Sequence, residues 1–350
     1  MFLWFSWISF IAGNLLSCEV RYMQGFNRFY SLVSSMKTGL FLLFLIGVTA
    51  AVGSSVLPGS FYQIPVFKLL LLLLLINMIL CTFNRIKLTF RVLLKRFGRR
   101  VWYRQLGIFT LHLGIILVLV GGLIYSVSGQ NDRIHLLAGD RVDIAKVLDI
   151  RHPFTLQLDE FRIEFNEDGS PSQYISEVTV LENGQVTDQI AISVNHPLNY
   201  QGVKAYQTSF GYLVKAAYIA ENGENKEGRF FEGEWLDPDG TNRRVRIYKY
   251  IPNFNPAYGM RSVTLRPDNP HIVFSVYEND KLLGIGAAKL NEPAQIDENV
   301  YVTFTGVEPY TILEVKSDPG LPLVLIGGCA LMLGVCLAML ATPRRKKNMV

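Results

Sequence analysis

The apolar segment at residues 104–128 is the feature that most constrains this chain. Between Gln105 and Tyr125 it is apolar or small, with one ionisable residue, His112. About twenty such residues are what an α-helix needs to cross the hydrocarbon core of a bilayer. Because an ionisable group in that core is costly without a partner, His112 is a candidate functional residue. The alternative is a structural histidine that hydrogen-bonds a serine or a carbonyl group of a neighbouring helix.

The glycines of this segment predict how its helix packs. Gly107, Gly114 and Gly121 recur every seven residues and therefore lie on one stripe. Glycine stripes allow another helix to approach closely. At about 100° per residue, His112 lies about 160° from Gly114 around the helix. We therefore expect a neighbouring helix on the glycine side and the imidazole on the other side.

Charge divides the chain into two parts. Residues 127–318 hold 18 of the 34 lysines and arginines and 28 of the 29 acidic residues, a net charge of −10, whereas the remainder carries +15. The remainder consists of hydrophobic runs and short loops. This pattern favours a membrane protein over a nucleic-acid-binding protein.

Four hydrophobic runs predict membrane spans, at about residues 38–56, 66–83, 104–128 and 321–340. Residues 84–104 contain eight basic residues and no acidic one, and residues 344–347 are all basic. Basic segments of this kind remain in the cytoplasm, so both termini are predicted there and residues 127–318 outside. His112 then lies about 12 Å along the helix from Arg104, in the cytoplasmic half of the bilayer.

The predicted fold is a membrane α-helical bundle of four spans with an extracytoplasmic all-β domain, either a sandwich or an open barrel. The predicted regions are a hydrophobic segment of uncertain role, three spans, the β domain, and the last span with a basic cytoplasmic tail, at residues 1–30, 31–126, 127–318 and 319–350. Residues 1–17 fit an interfacial helix, an extra span or an over-extended start. A lipoprotein signal ending at Cys18 is rejected, because no basic residue precedes its apolar part.

Alternating apolar residues and turn signals predict the strands of the β domain. Phe154, Leu156 and Leu158 alternate with polar residues, and the alternation resumes after a one-residue slip at Phe161. Further strands are predicted at residues 174–181, 186–194, 200–220, 244–251, 261–265, 272–277 and 299–304.

The sequence lacks the motifs of several common kinds of chemistry. No CxxC, CxxCH, P-loop, HExxH or GxSxG sequence occurs, and residues 127–318 contain no cysteine. His135 is interpreted as a surface residue, and His152, His196 and His271 as solvated turn or strand-start residues. His112 remains, with haem ligation, a proton relay or a structural hydrogen bond as its possible roles. The spans contain no acidic residue, which disfavours a relay. A six-coordinate haem needs a second ligand, which must come from another subunit, a second copy of the chain or a group other than histidine, so haem ligation predicts a partner.

Four segments carry a resemblance to a known family. They are residues 32–40 (LVSSMKTGL), residues 111–114 (LHLG) with Gly121 and Gly122 beyond, residues 194–212 (VNHPLNY, then KAYQ and GY), and residues 318–320 (DPG). Asn84 and Arg85 after Cys81 add to it. Over roughly residues 30–345 the chain resembles the ResB-type (CcsB/ResB-like) cytochrome c biogenesis proteins of System II. The short outer domain and residues 1–17 depart from the family pattern.

The resemblance implies a function. Such proteins act with a CcsA/ResC-type membrane partner that bears a tryptophan-rich loop. Together they move haem b to the outer face of the bacterial plasma membrane for covalent attachment to the CxxCH motifs of reduced apocytochrome c. Thioredoxin-like thiol reductants are further expected partners. This chain lacks the tryptophan-rich motif, so it would be the non-catalytic or accessory half of a holocytochrome c synthase (haem lyase) complex.

The resemblance also implies site residues. His112 occupies the position of the family's proposed axial ligand to haem iron. Asn195, Pro197, Tyr206 and Gln207 are motif residues of unknown chemistry, which turn and backbone hydrogen bonding explain equally well. Two other functions stay open: a haem b electron-transfer subunit, and a cofactor-free structural or sensor protein.

Overall fold

The computed structural model describes residues 28–56, 64–94, 98–219, 224–238 and 241–341. The predictions for residues 1–17, for Cys18 and for the basic tail at residues 344–347 fall outside these ranges. The chain forms two compact units: a helical unit, which ends at Gly129 and resumes at Asp318, and a β unit, Gln130–Ser317.

The described part of the helical unit contains four long helices. They are α1 (Met36–Val56), α2 (Pro65–Leu94), α3 (Arg99–Ser128) and α4 (Leu321–Leu340). Each has a segment long and apolar enough to cross a membrane, which confirms the four predicted spans. Each helix packs mainly against its neighbours in chain order, α1 on α2, α2 on α3 and α3 on α4.

Helices α3 and α4 meet along glycines on both sides. A Cβ atom added to Gly114 would lie 2.8 Å from the carbonyl oxygen of Gly327 and 2.9 Å from the backbone nitrogen of Leu331. Gly107 faces Gly334 and Gly121 faces Gly320 in the same way. The pairs run in opposite directions along the two helices, so α3 and α4 are antiparallel. The glycine stripe is therefore confirmed as a packing surface, and its partner is a second stripe with the same spacing of seven.

Helix α1 begins after an interruption that α2 stabilises. Residues 28–33 are helical, Ser34 and Ser35 break the helix, and α1 starts at Met36. Asn77 of α2, only 1% exposed, donates from Nδ2 to the carbonyl oxygens of Val33 (2.5 Å) and Ser35 (3.1 Å). The carbonyl oxygen of Ser35 also accepts from the backbone nitrogen of Gly39, whereas Asn77 supplies the donor for the Val33 carbonyl, which the break leaves without a helical partner.

The β unit has fourteen strands in its described residues. They are β1 (Gln130–Leu136), β2 (Arg141–Asp143), β3 (Thr155–Phe165), β4 (Pro171–Glu182), β5 (Gln185–Ser193), β6 (Leu198–Tyr200), β7 (Val203–Ile219), β8 (Asn225–Phe231), β9 (Trp235–Leu236), β10 (Arg243–Ile251), β11 (His271–Glu278), β12 (Lys281–Lys289), β13 (Pro293–Gln295) and β14 (Tyr301–Ser317). Neighbouring strands pair in antiparallel fashion.

The strands form three sheets. Sheet A runs β1-β14-β7-β6, with β13 on β14 and β8 on β7, sheet B runs β2-β3-β4-β5, and sheet C runs β12-β11-β10-β9. Sheet A is shared between two cores. One end packs against sheet B around buried residues such as Leu156, Val180 and Leu313, and the other end against sheet C around Ile247 and Phe304. This arrangement is a double β-sandwich, so the all-β prediction is confirmed and the sandwich form is the one observed.

Most predicted strands are present, with adjusted ends. The slip in the alternation before Phe161 is a bulge, where the pairing of β3 with β4 shifts between Leu158 and Glu160. The strand predicted at residues 261–265 is wrong. That segment is irregular, and its polar groups bond to one another instead of to a ladder, with Asn253 bonding both Ser262 and Thr264.

Candidate functional site

His112 lies in α3 with its tautomer fixed by the helix itself. Its Nδ1 is 2.8 Å from the carbonyl oxygen of Ile108, one turn earlier. A carbonyl can only accept a hydrogen bond, so Nδ1 carries the proton and donates. The lone pair is then on Nε2, and no hydrogen bond among the described residues involves that atom. A neutral imidazole oriented by a backbone carbonyl and free at the other nitrogen is the form that binds a metal.

The packing of α3 places His112 away from α4. Gly107, Gly114 and Gly121 are the buried residues of α3, and all three meet α4. His112 lies between about 140° and 180° from these glycines around the helix. Its side chain is half-buried. We call the contact of α3 with α4 at Gly107, Gly114 and Gly121 the glycine seam. The imidazole is therefore on the face of α3 opposite the glycine seam, as the glycine spacing predicted.

Several hydroxyl groups in the spans are bonded to backbone in their own helices. The hydroxyl groups of Thr49, Thr82 and Thr110 donate to carbonyl oxygens four residues earlier, and Ser126 donates to Leu123. None of the four helices contains an aspartate or glutamate. The described helices thus hold no carboxylate with which His112 could share a proton.

The donor set limits which metal groups the chain can hold. No group of three or more His, Cys, Asp or Glu residues suited to a metal ion occurs among the described residues. A single imidazole is too little for a structural or catalytic zinc site, which needs three or four protein ligands. It is sufficient as one axial ligand of a haem, whose porphyrin supplies the equatorial nitrogens. The residues present therefore fit haem better than a bare ion.

The remaining histidines lie in the β unit. His152 and His196 are exposed, in agreement with their interpretation as solvated. His135 is exposed on β1 and stacks on Tyr310, with ring centroids 5.8 Å apart. His271 is half-buried at the start of β11, where its Nδ1 lies 3.1 Å from the carbonyl oxygen of Asn269, so it is more enclosed than expected.

Two of the motif residues shape a turn. Asn195 has a φ of 66° in the two-residue turn between Ser193 and His196, whose backbones exchange two hydrogen bonds. Asparagine tolerates this left-handed conformation better than most residues. Pro197 follows directly and leads into β6. Both residues have local structural roles in the β unit.

Gln207 organises a polar cluster inside the sandwich. Its Oε1 lies 2.8 Å from the hydroxyl oxygens of both Ser176 and Thr311, which are fully buried. Its Nε2 donates to the carbonyl oxygen of Ser209 at 2.8 Å, across the bulge in β7 at Thr208. The amide thereby joins sheet B to both long strands of sheet A. Ser176 and Thr311 gave no sequence signal that singled them out.

Two tyrosines of β7, Tyr206 and Tyr212, make contacts on opposite sides of sheet A. Lys316 Nζ lies 5.6 Å from the centre of the Tyr206 ring. Towards the interior, Tyr212 packs edge-on against Tyr250, and burial raises the pKa of Tyr212 well above its usual range. No contact of Tyr206 among the described residues suggests chemistry beyond packing.

The contacts of the polar stripe on α2 were not predicted from the sequence, although Cys81 and Asn84 were part of the resemblance. Asn77, Cys81 and Asn84 follow one another at helical spacing and reach the broken segment before α1. Cys81 Sγ donates to the carbonyl oxygen of Ser34 at 3.0 Å, and Tyr30 donates to Asn84 Oδ1 at 2.7 Å. An asparagine within an otherwise apolar run was the available signal.

Several known proteins are similar to this chain. A family model described as the ResB-like family matches residues 96–346. The cytochrome c biogenesis protein CcsB of Prochlorococcus marinus is 25% identical over 240 residues, which cover 69% of this chain and 54% of that protein. CcsB of Gloeobacter violaceus is 27% identical over 260 residues, covering 68% and 51%. The chain spans about half the length of the curated relatives it matches.

Among solved structures, a chain named cytochrome c heme lyase CcmF matches 87% of this chain and 35% of its own length, at 12% identity. Its TM-score of 0.31 is too low to support an argument about fold or function.

Proposed function

The chain belongs to the ResB-like family, and on that premise we propose that it is a membrane subunit of a cytochrome c assembly complex of System II. Its part is to bind haem through His112 and to help move it to the outer face of the membrane. The names of the relatives at 25% and 27% identity support the assembly role.

The state of His112 is the observation that carries the proposal. Its Nδ1 proton is donated to Ile108, so Nε2 is available as a ligand to haem iron. The hydrogen bond also holds the ring in one orientation, as partners of ligating histidines usually do. Haem, when bound, supplies the group that becomes attached to the cytochrome. This chain contributes a fixed imidazole on a helix that the glycine seam holds rigidly.

The site is incomplete within the described helices, which supports a partner. His112 is the only histidine in the four helices, and six-coordinate haem needs two axial ligands. We therefore assign the second ligand to a CcsA/ResC-type membrane protein. The remaining proposed partners are apocytochrome c and thioredoxin-like reductants that keep its thiols reduced. The bond-forming step belongs to the complex, with this chain as its accessory half.

Charge supports the orientation of the protein in the bacterial plasma membrane. Arg99, Arg100 and Arg104 lie at the start of α3, within the basic segment of residues 84–104. Positive residues of this kind remain cytoplasmic. On that topology His112 receives haem in the cytoplasmic half of the membrane, and the β unit lies on the outer side.

The experiment compares absorbance spectra of the full chain, purified with its membrane partner. We expect a Soret band that His112→Ala removes or reduces several-fold, and that added imidazole partly restores. His135→Ala, which alters an exposed histidine of the β unit, is the matched control and should keep the band. An unchanged band in His112→Ala would contradict haem ligation.

A deletion strain tests the wider role. Loss of covalently attached c-type haem with intact b-type haem supports assembly. Loss of respiratory electron transfer with normal c-type haem would instead support an electron-transfer subunit.

A further inference from the structure

Strand β12 forms an open edge of sheet C. In the sheet order β12-β11-β10-β9 it pairs with β11 alone. Among the described residues, no backbone hydrogen bond reaches the other side of residues 281–288. Such an edge presents a row of N–H and C=O groups that are able to pair with another strand.

The side chains of β12 leave this edge apolar. Between Lys281 and Lys289 the sequence is LLGIGAA, with no charged residue and no proline. Leu282 and Leu283 are each 46% exposed, and Ile285 is 58% exposed. One bulge interrupts the pairing with β11, at Leu283. Exposed edges usually carry charges, prolines or bulges that prevent pairing. Strand β12 has one bulge, as β5 has at Thr187, but its centre has no charge and no proline.

Strand β5 is an edge strand of the same unit with which β12 can be compared directly. Like β12, β5 is nine residues long, forms one edge of a four-stranded sheet and is mostly exposed. Its centre, however, is polar, with Thr187, Asp188 and Gln189 at positions where β12 has Leu283, Gly284 and Ile285. The same fold therefore protects one comparable edge and leaves the other apolar.

We propose that β12 binds an extended segment of another polypeptide by strand addition. The unpaired backbone groups require a strand, and the exposed leucines and isoleucine favour apolar residues in its centre. Lys281 and Lys289, exposed at the two ends, favour acidic residues near the ends of the segment.

Charge also argues against a second copy of this chain as the occupant. In a symmetric antiparallel pair of β12 strands, Lys281 of one copy would lie opposite Lys289 of the other. This would bring like charges together at both ends of the pair, which is destabilising. The occupant is therefore a different sequence with complementary ends.

The test uses the full chain in detergent micelles and a fluorescein-labelled probe. The probe is a nine-residue peptide of alternating valine and threonine with glutamate at each end. We expect fluorescence anisotropy to show saturable binding that Ile285→Lys weakens by about tenfold or more. Val186→Lys is the matched control, because Val186 is 60% exposed on β5, and it should bind the probe like the wild-type chain.

Two altered probes separate strand addition from adsorption. A peptide with lysine at both ends should bind more weakly, and one with N-methylated amides along one edge should not bind. Leu283→Lys is a second variant in case Ile285→Lys lowers the melting temperature. His112→Ala should bind the probe normally, so this proposal and the haem proposal can fail separately.

Three results would overturn the proposal. The first is no saturable binding by the wild-type chain, and the second is equal binding by wild type and Ile285→Lys. The third is a wild-type dimer that Ile285→Lys separates into monomers, which would make a second copy the occupant.

Discussion

The two outer helix pairs of the helical unit associate in opposite ways. Helices α3 and α4 have glycines without side chains at their contact, so that the backbone at Gly114 lies directly against the backbone at Gly327. Helices α1 and α2 are instead connected by a polar side chain. The amide of Asn77 on α2 donates hydrogen bonds to carbonyl oxygens in the interrupted segment before α1. Hydrophobic burial contributes little between helices in lipid, so close packing and hydrogen bonds must provide the association.

Because of this difference, the two helix pairs are destabilised by different kinds of substitution. The glycine seam depends on close backbone contacts at three facing pairs of glycines, and any side chain added there separates the backbones. The α1–α2 joint depends on a few polar atoms, and their loss leaves carbonyl groups without partners. The seam is therefore suited to hold His112 at a fixed position, while the joint holds the start of α1.

A substitution in the seam should have the largest effect. A Cβ atom at Gly114 would lie 2.8 Å from the carbonyl oxygen of Gly327, and that backbone atom cannot move aside. We expect Gly114→Leu to destabilise the full chain by about 3 kcal/mol or more, as severe overpacking does. Gly122→Leu is the matched control, because nothing lies within 4 Å of the added Cβ. Thermal denaturation in detergent measures both, and equal melting temperatures would show that the seam is not tightly packed.

Much of the seam could be predicted from sequence, because its cause is local. The spacing of Gly107, Gly114 and Gly121 indicated a packing stripe and placed His112 on the other face. The partner helix was not predicted, although Gly320, Gly327 and Gly334 repeat the same spacing. A period shows that a surface packs but does not show which other segment it meets.

The joint and the polar cluster of the β unit could not be predicted for a related reason. Asn77 bonds residues more than forty positions earlier, and Gln207 meets Thr311 more than one hundred positions later. Such contacts depend on the final arrangement of chain segments.

The slip before Phe161 was visible in the sequence because a bulge changes a local alternation. The strand predicted at residues 261–265 failed because side-chain bonds to Asn253 replaced the ladder. The haem role of His112 stays a prediction.

Removal of the amide at Asn77 should have the second-largest effect. Asn77→Leu keeps a similar volume but leaves the carbonyl oxygens of Val33 and Ser35 without this donor. Water is scarce in the hydrocarbon core, so we expect a loss of about 2 kcal/mol in thermal denaturation of the full chain. Asn84→Leu changes an exposed asparagine of the same helix and should cost less. An equal or smaller loss in Asn77→Leu would show that the break before α1 is stabilised by other contacts.

The same chemistry in the β unit should show a smaller effect, because the bond from Gln207 to Ser209 is exposed to water and the buried hydroxyl groups of Ser176 and Thr311 still bond each other. Gln207, like Asn77, uses one amide to bond backbone at an irregularity, here the carbonyl oxygen of Ser209 beside the bulge. Gln207→Leu removes that donor and the acceptor for Ser176 and Thr311, and we expect a loss of about 1 kcal/mol. Its side chain is only partly enclosed, so solvent can replace some of the lost bonds. Gln189→Leu, on the exposed edge strand β5, is the control and should be nearly neutral. If Gln207→Leu cost more than Asn77→Leu, the contrast between lipid and water as surroundings for a bridging amide would be wrong. The connection that Gln207 makes between sheets A and B would then matter more for stability than the medium around it.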